Sequence, residues 1–265
     1  MTTEGFTGER LHEGDPRFAL DLARHRAAYE FAARQLPAGS TLDLGSGSGY
    51  GSASLARGGR FVVGVDRVSA DPAQRGSAAR FVRADLRALP FPRGSFDAVT
   101  SFQVIEHLED PAPYLESIAG LLGAEGVAIL TTPNVRMSDG VNPYHVHEFE
   151  AEELATLLRG YFREVEVRGI GMSKPVRESM AARSARIRTI MRLDPLRVRE
   201  RLPRAWIERL FAVFALWVRA RTRSTGGTPE ASWQDFPVEA ANSESIDLLA
   251  ICRGAQREGL ASNDE

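Results

Sequence analysis

Apolar positions along the first two thirds of the chain fall into two rhythms. Over residues 17–36, Phe18, Leu22, Ala28, Tyr29, Phe31, Ala32 and Leu36 lie roughly at helical spacing, and Pro37-Ala38-Gly39 stops the run. Short, nearly continuous apolar runs follow at 41–45, 60–66, 79–85, 95–104, 126–134 and 164–170, and each predicts a strand. Helices are expected between several of them: one running to about Arg57, one from Asp110-Pro111 to Leu122, and one at 150–159. Strands this apolar, separated by helices and polar turns, predict an α/β protein whose parallel sheet is covered on both faces.

The rhythm breaks after residue 171 and returns in SIDLLAICR at 245–253, which reads as a final strand. The expected organisation is an N-terminal helical cap (1–40), a core (41–171), a helical insert (172–244), the last core strand (245–254) and a disordered tail (255–265). The insert is chemically distinct. Between Arg177 and Arg223 there are 13 arginines against four acids, a balance of +9. Against a whole-chain charge of -2, this leaves -11 for the remainder, so no global field argues for nucleic acid. The stretch 206–220, with Trp206, Phe211, Phe214 and Trp217, predicts a helix apolar on most of its surface. A cationic, aromatic-bearing segment such as 177–223 could lie on an anionic membrane, cover the substrate pocket, form a homodimer contact, or simply add a helical layer.

Other features narrow the class. The polar N-terminus carries no apolar run of secretory type, and the longest apolar run, Leu210 to Val218, is far short of the ~20 residues that span a bilayer. Cys252 is the only cysteine, which excludes an internal disulfide framework or a thiolate cluster. These signs together predict a cytoplasmic protein, with the inner membrane face as a peripheral location if the insert binds lipid.

The sharpest local signal is Asp43-Leu44-Gly45-Ser46-Gly47-Ser48-Gly49-Tyr50-Gly51, at the end of the first strand. Glycines there let backbone lie against a ligand, and ligands of open parallel sheets bind beyond the carboxyl ends of the strands. The dinucleotide fingerprint G-x-G-x-x-G/A fails in both registers: counted from Gly45 its last position is Tyr50, and from Gly47 it is Ser52. Asp43 adds a carboxylate that would repel a pyrophosphate and attract a cationic ligand. Asp66, at the end of the second strand, stands 21 residues past Gly45, the distance at which a carboxylate reaches a ribose.

With LDLGSGSGYG (42–51), VVGVDR (62–67), VRADLRALPF (82–91), SFDAVTSFQVIEHLEDP (95–111), GVAILTTPN (126–134) and NPYHVHEF (142–149), the chain resembles the class I S-adenosylmethionine-dependent methyltransferases, particularly the group that includes the ubiquinone-biosynthesis O-methyltransferases. The resemblance runs from about Gly8 to Ile170 and resumes at 245–253. It implies a Rossmann-like, doubly wound sheet of seven strands in the order 3-2-1-4-5-7-6, with the insert joining strands six and seven. It implies S-adenosyl-L-methionine as cofactor, held by Asp43, Gly45, Ser46, Gly47, Asp66, Arg67, Asp85, Leu86 and Gln103. In that arrangement Asp66 binds the ribose hydroxyls and Asp85 the adenine amino group beside Leu86. Gly45 and Gly47 lie under the methionine portion, Gln103 near it and His107 a little deeper. The first helix, with His25 and Tyr29 on one face, and the segment at Glu9-Arg10 would close over the cofactor; a core role suits Tyr29 equally.

Methyl transfer is an in-line displacement on an activated carbon, so alignment supplies much of the rate, and a base is needed only for a protonated acceptor. His145 and His107 are the candidate catalytic residues. His145, His147 and Glu148 follow strand five, where the mouth of a substrate pocket is expected. In the ubiquinone-type enzymes the segment before His107 reads Glu-x-x-Glu-His and is associated with a divalent metal. Here the first position is Gln103, so no metal is expected. The function expected is methyl transfer to an O or N nucleophile of a small-molecule, glycolipid or lipid-like acceptor. A non-catalytic scaffold that keeps the cofactor fold, and a nicotinamide oxidoreductase disfavoured by Tyr50 and Ser52, are the competing readings.

Overall fold

The computed structural model describes residues 11, 13–57, 59–138, 142–181 and 231–256. Eight strands hydrogen-bond in the order β3-β2-β1-β4-β5-β8-β6-β7. They are β1 (Ser40–Leu44), β2 (Phe61–Asp66), β3 (Arg80–Arg83), β4 (Phe96–Phe102), β5 (Leu122–Pro133), β6 (Phe162–Ile170), β7 (Val238–Ala240) and β8 (Asp247–Ala255). The first five are mutually parallel, and β8 runs antiparallel between β5 and β6. The doubly wound sheet is therefore as expected, with one addition. Residues 238–240, placed in the insert by the sequence, pair antiparallel with the outer side of β6 and make an eighth, edge strand. That edge leaves a row of backbone groups that a neighbouring segment satisfies. The described part of the expected helical insert thus holds helix at 174–181, a short 3-10 turn (Trp233–Asp235) and a strand, while the apolar 206–220 stretch lies outside the described residues.

Helices cover both faces. On one, α1 (Ala19–Gln35) and α2 (Tyr50–Ala56) pack on Val62, Ala98, Phe102, Ile129 and Ile251. On the other, α3 (Ala112–Leu121) and α4 (Ala151–Arg159) pack on Leu42, Leu44, Val65, Val99 and Leu130. The pleat divides each strand between the two cores, since successive side chains point to opposite faces. Leu42 and Leu44 face α3 and α4, which turns Asp43 toward α1 and α2.

The α1–α2 contact is unusually close. A methyl group at Gly51 would sit 1.9 Å from Cζ of Tyr29, so the bare backbone of α2 is the surface on which that ring lies. Tyr29 also meets Phe102 of β4 edge-on, with ring centroids 4.6 Å apart. Gly51→Ala forces the ring off this position. A loss of about 1–3 kcal/mol is expected, measured as a lowered urea midpoint with an unchanged slope.

Candidate functional site

The loop between β1 and α2 is held by its own backbone. Gly45 and Ser46 both donate their N–H groups to the Val65 carbonyl (2.9 and 3.0 Å), which lays the loop across the tip of β2. Gly45 has φ of +75°, and a Cβ there would stand 2.5 Å from Cγ2 of Val104, so a side chain is excluded by both conformation and space. Gly47 donates its N–H to Oδ2 of Asp66 (2.9 Å), and Val68 donates to Oδ1 (2.9 Å). Asp66 is therefore fixed at the mouth of the loop, half-buried, with a carboxylate's remaining lone pairs to offer. Ser48 donates its hydroxyl to the Leu11 carbonyl (2.7 Å), and Tyr50 meets Nδ1 of His25 (3.1 Å), so the cap is tied to the same loop.

Asp43 does not line an open crevice. It is fully buried and accepts from Ser52 (2.6 Å), Thr100 (2.8 Å) and Tyr29 (3.2 Å to either oxygen). Its negative charge still lies beneath the loop, but its partners are the hydroxyls of α1, α2 and β4. The expected direct contact with a ligand gives way to support of the loop from below. Of the two roles open to Tyr29, the structure supports the core one.

The remaining expected residues lie along the same edge of the sheet. Asp85 follows β3 and takes a bidentate pair from Arg87, which holds its carboxyl well below the usual carboxylate range. Leu86 is half-buried beside it, whereas Arg67 is exposed and contributes its carbonyl to Nε of Arg83 (2.7 Å). Gln103 is the one non-glycine residue with positive φ (+57°) among the described residues. Such a conformation persists where surrounding contacts over-determine it. Here the Gln103 N–H donates to the Thr131 carbonyl (3.0 Å), and its side-chain amide donates to the Thr131 hydroxyl (3.4 Å).

His107 sits in a 3-10 turn (Ile105–His107), with Nδ1 3.0 Å from the Tyr144 carbonyl. His145 places Nδ1 2.5 Å from Oε1 of Glu148, and the two imidazoles meet edge-to-face at 5.2 Å. The loop carrying His145 is pinned to the turn, because the Glu106 carbonyl accepts from Val146 (2.8 Å) and His147 (3.3 Å). His147 points elsewhere, exposed and paired with Glu153 (2.7 Å), so His145 and His147 do not act together. Glu106 is buried, with Oε2 accepting from Thr132 (3.1 Å). His25 is also buried, and the loss of hydration, aided by Arg24, pulls it down to about 3.

Sequence reasoning missed half-buried Arg24 and buried Asp247, a pair with Nε 3.4 Å from Oδ2, which joins the cap to the first residue of β8. An acid opening an otherwise apolar strand was the available signal. It also missed Ser52, Thr100 and Thr132, whose hydroxyls matter only through long-range contacts.

Burial pushes the Asp43 carboxyl up to about 6, against the three hydroxyls that draw it down. A carboxyl raised in the folded state stabilises the fold most when protonated. That stability is lost as pH rises from about 4 to about 6, by roughly 3 kcal/mol. His25, lowered in the folded state, works in the opposite direction over much of the same range. The difference between parent and Asp43→Asn isolates the carboxyl. The unfolding free energy of the parent relative to the variant is expected to fall across this window, as read from urea titrations at stepped pH.

Residues 42–130 match the family model described as a methyltransferase domain. The chain is 36% identical over 170 residues to a probable S-adenosylmethionine-dependent methyltransferase of Mycolicibacterium smegmatis, covering 60% of this chain and 65% of that protein. It is 36% identical over 143 residues to one of Mycobacterium tuberculosis, covering 51% and 52%. It is 32% identical over 140 residues to the mitochondrial ubiquinone biosynthesis O-methyltransferase of Arabidopsis thaliana, covering 48% and 44%. The chain thus spans between about half and just under two thirds of the first of these relatives. Among solved structures, a methyltransferase of Thermotoga maritima superposes with a TM-score of 0.59 at 15% identity, covering 94% of this chain and 98% of that one. A Burkholderia thailandensis N1-methyltransferase holding S-adenosylhomocysteine gives 0.52 at 21%, covering 92% and 84%. At these identities the likeness is one of fold.

Proposed function

We propose that this chain, whose core belongs to the class I S-adenosylmethionine-dependent methyltransferases, transfers a methyl group to a hydroxyl of a small-molecule acceptor. The observation that carries the reading is the bond between Gly47 and Asp66. In a dinucleotide site the N–H groups of this loop receive phosphate. Here the Gly47 N–H is given to a carboxylate, and a second carboxylate, Asp43, lies beneath. Such a loop disfavours a pyrophosphate and suits a nucleoside without phosphate and with positive charge, which describes S-adenosylmethionine.

That cofactor brings a methyl group already activated on a sulfonium. The chain's task is to hold it, align the acceptor and exclude water. Asp66 would accept from the ribose hydroxyls while keeping its two backbone donors. Gly45 and Gly47 supply a floor without side chains. Asp85 would meet the adenine from the β3 end, with Arg87 turned aside or shared, and Leu86 packs beside it. Gln103 stands at the tip of β4, at the methionine end.

Activation of the acceptor is assigned to His145 and His107. A carbonyl oxygen cannot donate, so Nδ1 of His107 carries the proton, and a carboxylate at Nδ1 of His145 requires the same. In each neutral ring the lone pair is then on Nε2. A hydroxyl acceptor needs such groups, whereas an amine with its own lone pair does not, and this favours O-methylation. Arg177 pairs with Glu244, and the rest of the basic 177–223 segment lies beyond residue 181, outside the described residues; a membrane or lipid-linked acceptor rests on its charge alone.

Calorimetry with S-adenosylhomocysteine and with NADH tests the reading. The parent is expected to bind the former and not the latter, and Asp66→Ala is expected to weaken binding roughly 10- to 100-fold through loss of charge-assisted hydrogen bonds. A protein that ignores S-adenosylhomocysteine, or an Asp66→Ala that binds like the parent, refutes it.

A further inference from the structure

Asp247 opens β8 opposite Pro133, so it stands at the carboxyl end of β5, and the pleat puts it with Leu249 and Ile251 on the face covered by α1. It is 2% exposed, yet its Oδ1 accepts no hydrogen bond from the described residues. Arg24 of α1 approaches only the other oxygen, at 3.4 Å, in a contact that is Coulombic and not a hydrogen bond. We propose that Asp247 receives a protonated amine of the acceptor, so that the substrate is a hydroxyl compound held by its ammonium group while the hydroxyl is methylated. The proposal rests on the methyl transfer assigned above and adds the class of acceptor.

Charge around the pair selects the sign of the ligand. The field at Arg24 comes from Asp247, Asp21 and Glu106, and Asp247 in turn lies within reach of Asp21. Three carboxylates thus share one guanidinium. An anionic acceptor would meet this excess as repulsion, and a neutral one would leave it in place. An ammonium offsets one negative charge and donates to the oxygen that lacks a donor. A buried acceptor without a donor carries its full desolvation cost, so the ligand that supplies the donor recovers it.

Position separates this amine from the cofactor's own. Across the sheet β1, β4, β5 and β8 are successive neighbours, so at about 4.8 Å per strand Asp247 lies about 14 Å from the glycine loop that follows β1. The methionine portion, with its amino group, is assigned to that loop. Gln103, at the tip of β4, stands between, and His145 is close enough to Asp247 to act on its charge. An amine anchored at Asp247 therefore leaves the rest of the acceptor on the side where its hydroxyl is to be activated.

Calorimetry on the full chain saturated with S-adenosylhomocysteine tests the site, with tyramine, 4-ethylphenol and 4-hydroxyphenylacetate as probes that differ in the charge carried by the same phenol. The parent should bind tyramine at least about tenfold more tightly than the other two. Asp247→Asn, which keeps the shape and removes the charge, should erase that preference and leave S-adenosylhomocysteine affinity unchanged. Asp21→Asn should lower tyramine affinity roughly two- to fivefold through the weaker field alone. It carries the test if near-ultraviolet circular dichroism shows that Asp247→Asn does not fold. Equal binding of the three probes, no binding of tyramine, or a preference unaltered in every folded variant would overturn the proposal. So would a folded Asp247→Asn whose loss falls on S-adenosylhomocysteine. Failure of the parent to bind S-adenosylhomocysteine would instead sink the assigned function; tyramine binding to the free chain, lost in Asp247→Asn, would then still identify Asp247 as an ammonium site.

Discussion

The buried Asp43 carboxylate is the point through which sheet, helices and glycine loop are joined. Its oxygens gather hydroxyls from Tyr29 on α1, Ser52 on α2 and Thr100 on β4. Burying a carboxylate costs several kcal/mol, and each hydrogen bond to a charged group returns about 1.5–3 kcal/mol. The raised carboxyl shows that burial outweighs the hydroxyls, so this hub is not kept for stability alone. What it secures is geometry. Asp43 stands two residues before Gly45, Ser52 is the third residue of α2, and the Tyr29 ring lies against Gly51. The backbone path from Gly45 to Gly49 is thereby fixed at both ends before any ligand arrives.

A loop fixed in this way still has to choose its ligand, and the choice is electrostatic. The Gly47 N–H is committed to Asp66, and the charge of Asp43 lies below, so the mouth of the loop is acceptor-rich where a phosphate site would be donor-rich. The same fold can host either chemistry. The decision lies in two carboxylates and one amide.

Much of this could be read in the chain because strands buried on both faces announce themselves as short apolar runs. The β1–β6 and β8 segments were legible for that reason, and their order followed from the resemblance. β7 was not, because Val238-Glu239-Ala240 carries no apolar pattern; it is a strand only because β6 leaves an edge to pair. The glycines after β1 and Asp66 at the end of β2 stood out by motif and spacing, and Gln103 entered through the resemblance. The role of Asp43 was misjudged because its three partners lie 9, 14 and 57 residues away, and a hydroxyl gives no sign in sequence of where it will point. Asp247 stood out as an acid opening an apolar strand, but nothing in sequence named Arg24 as its partner. His145 was picked as a candidate, but nothing local tied it to Glu106 and His107, which meet it only when the 142–149 loop folds back on the turn.

Gln103 then becomes intelligible together with Asp247. Asp247 is buried, and burial raises its carboxyl, with Arg24 and the amide of Gln103 drawing it back. A glutamate at 103 would set a second carboxylate against it in a poorly hydrated site, where like charges cannot both remain ionised cheaply. An amide carries no charge and avoids the conflict, while its own donor is taken up by the Thr131 hydroxyl. The departure from the Glu-x-x-Glu-His pattern at this position thus follows from the buried carboxyl that opens β8.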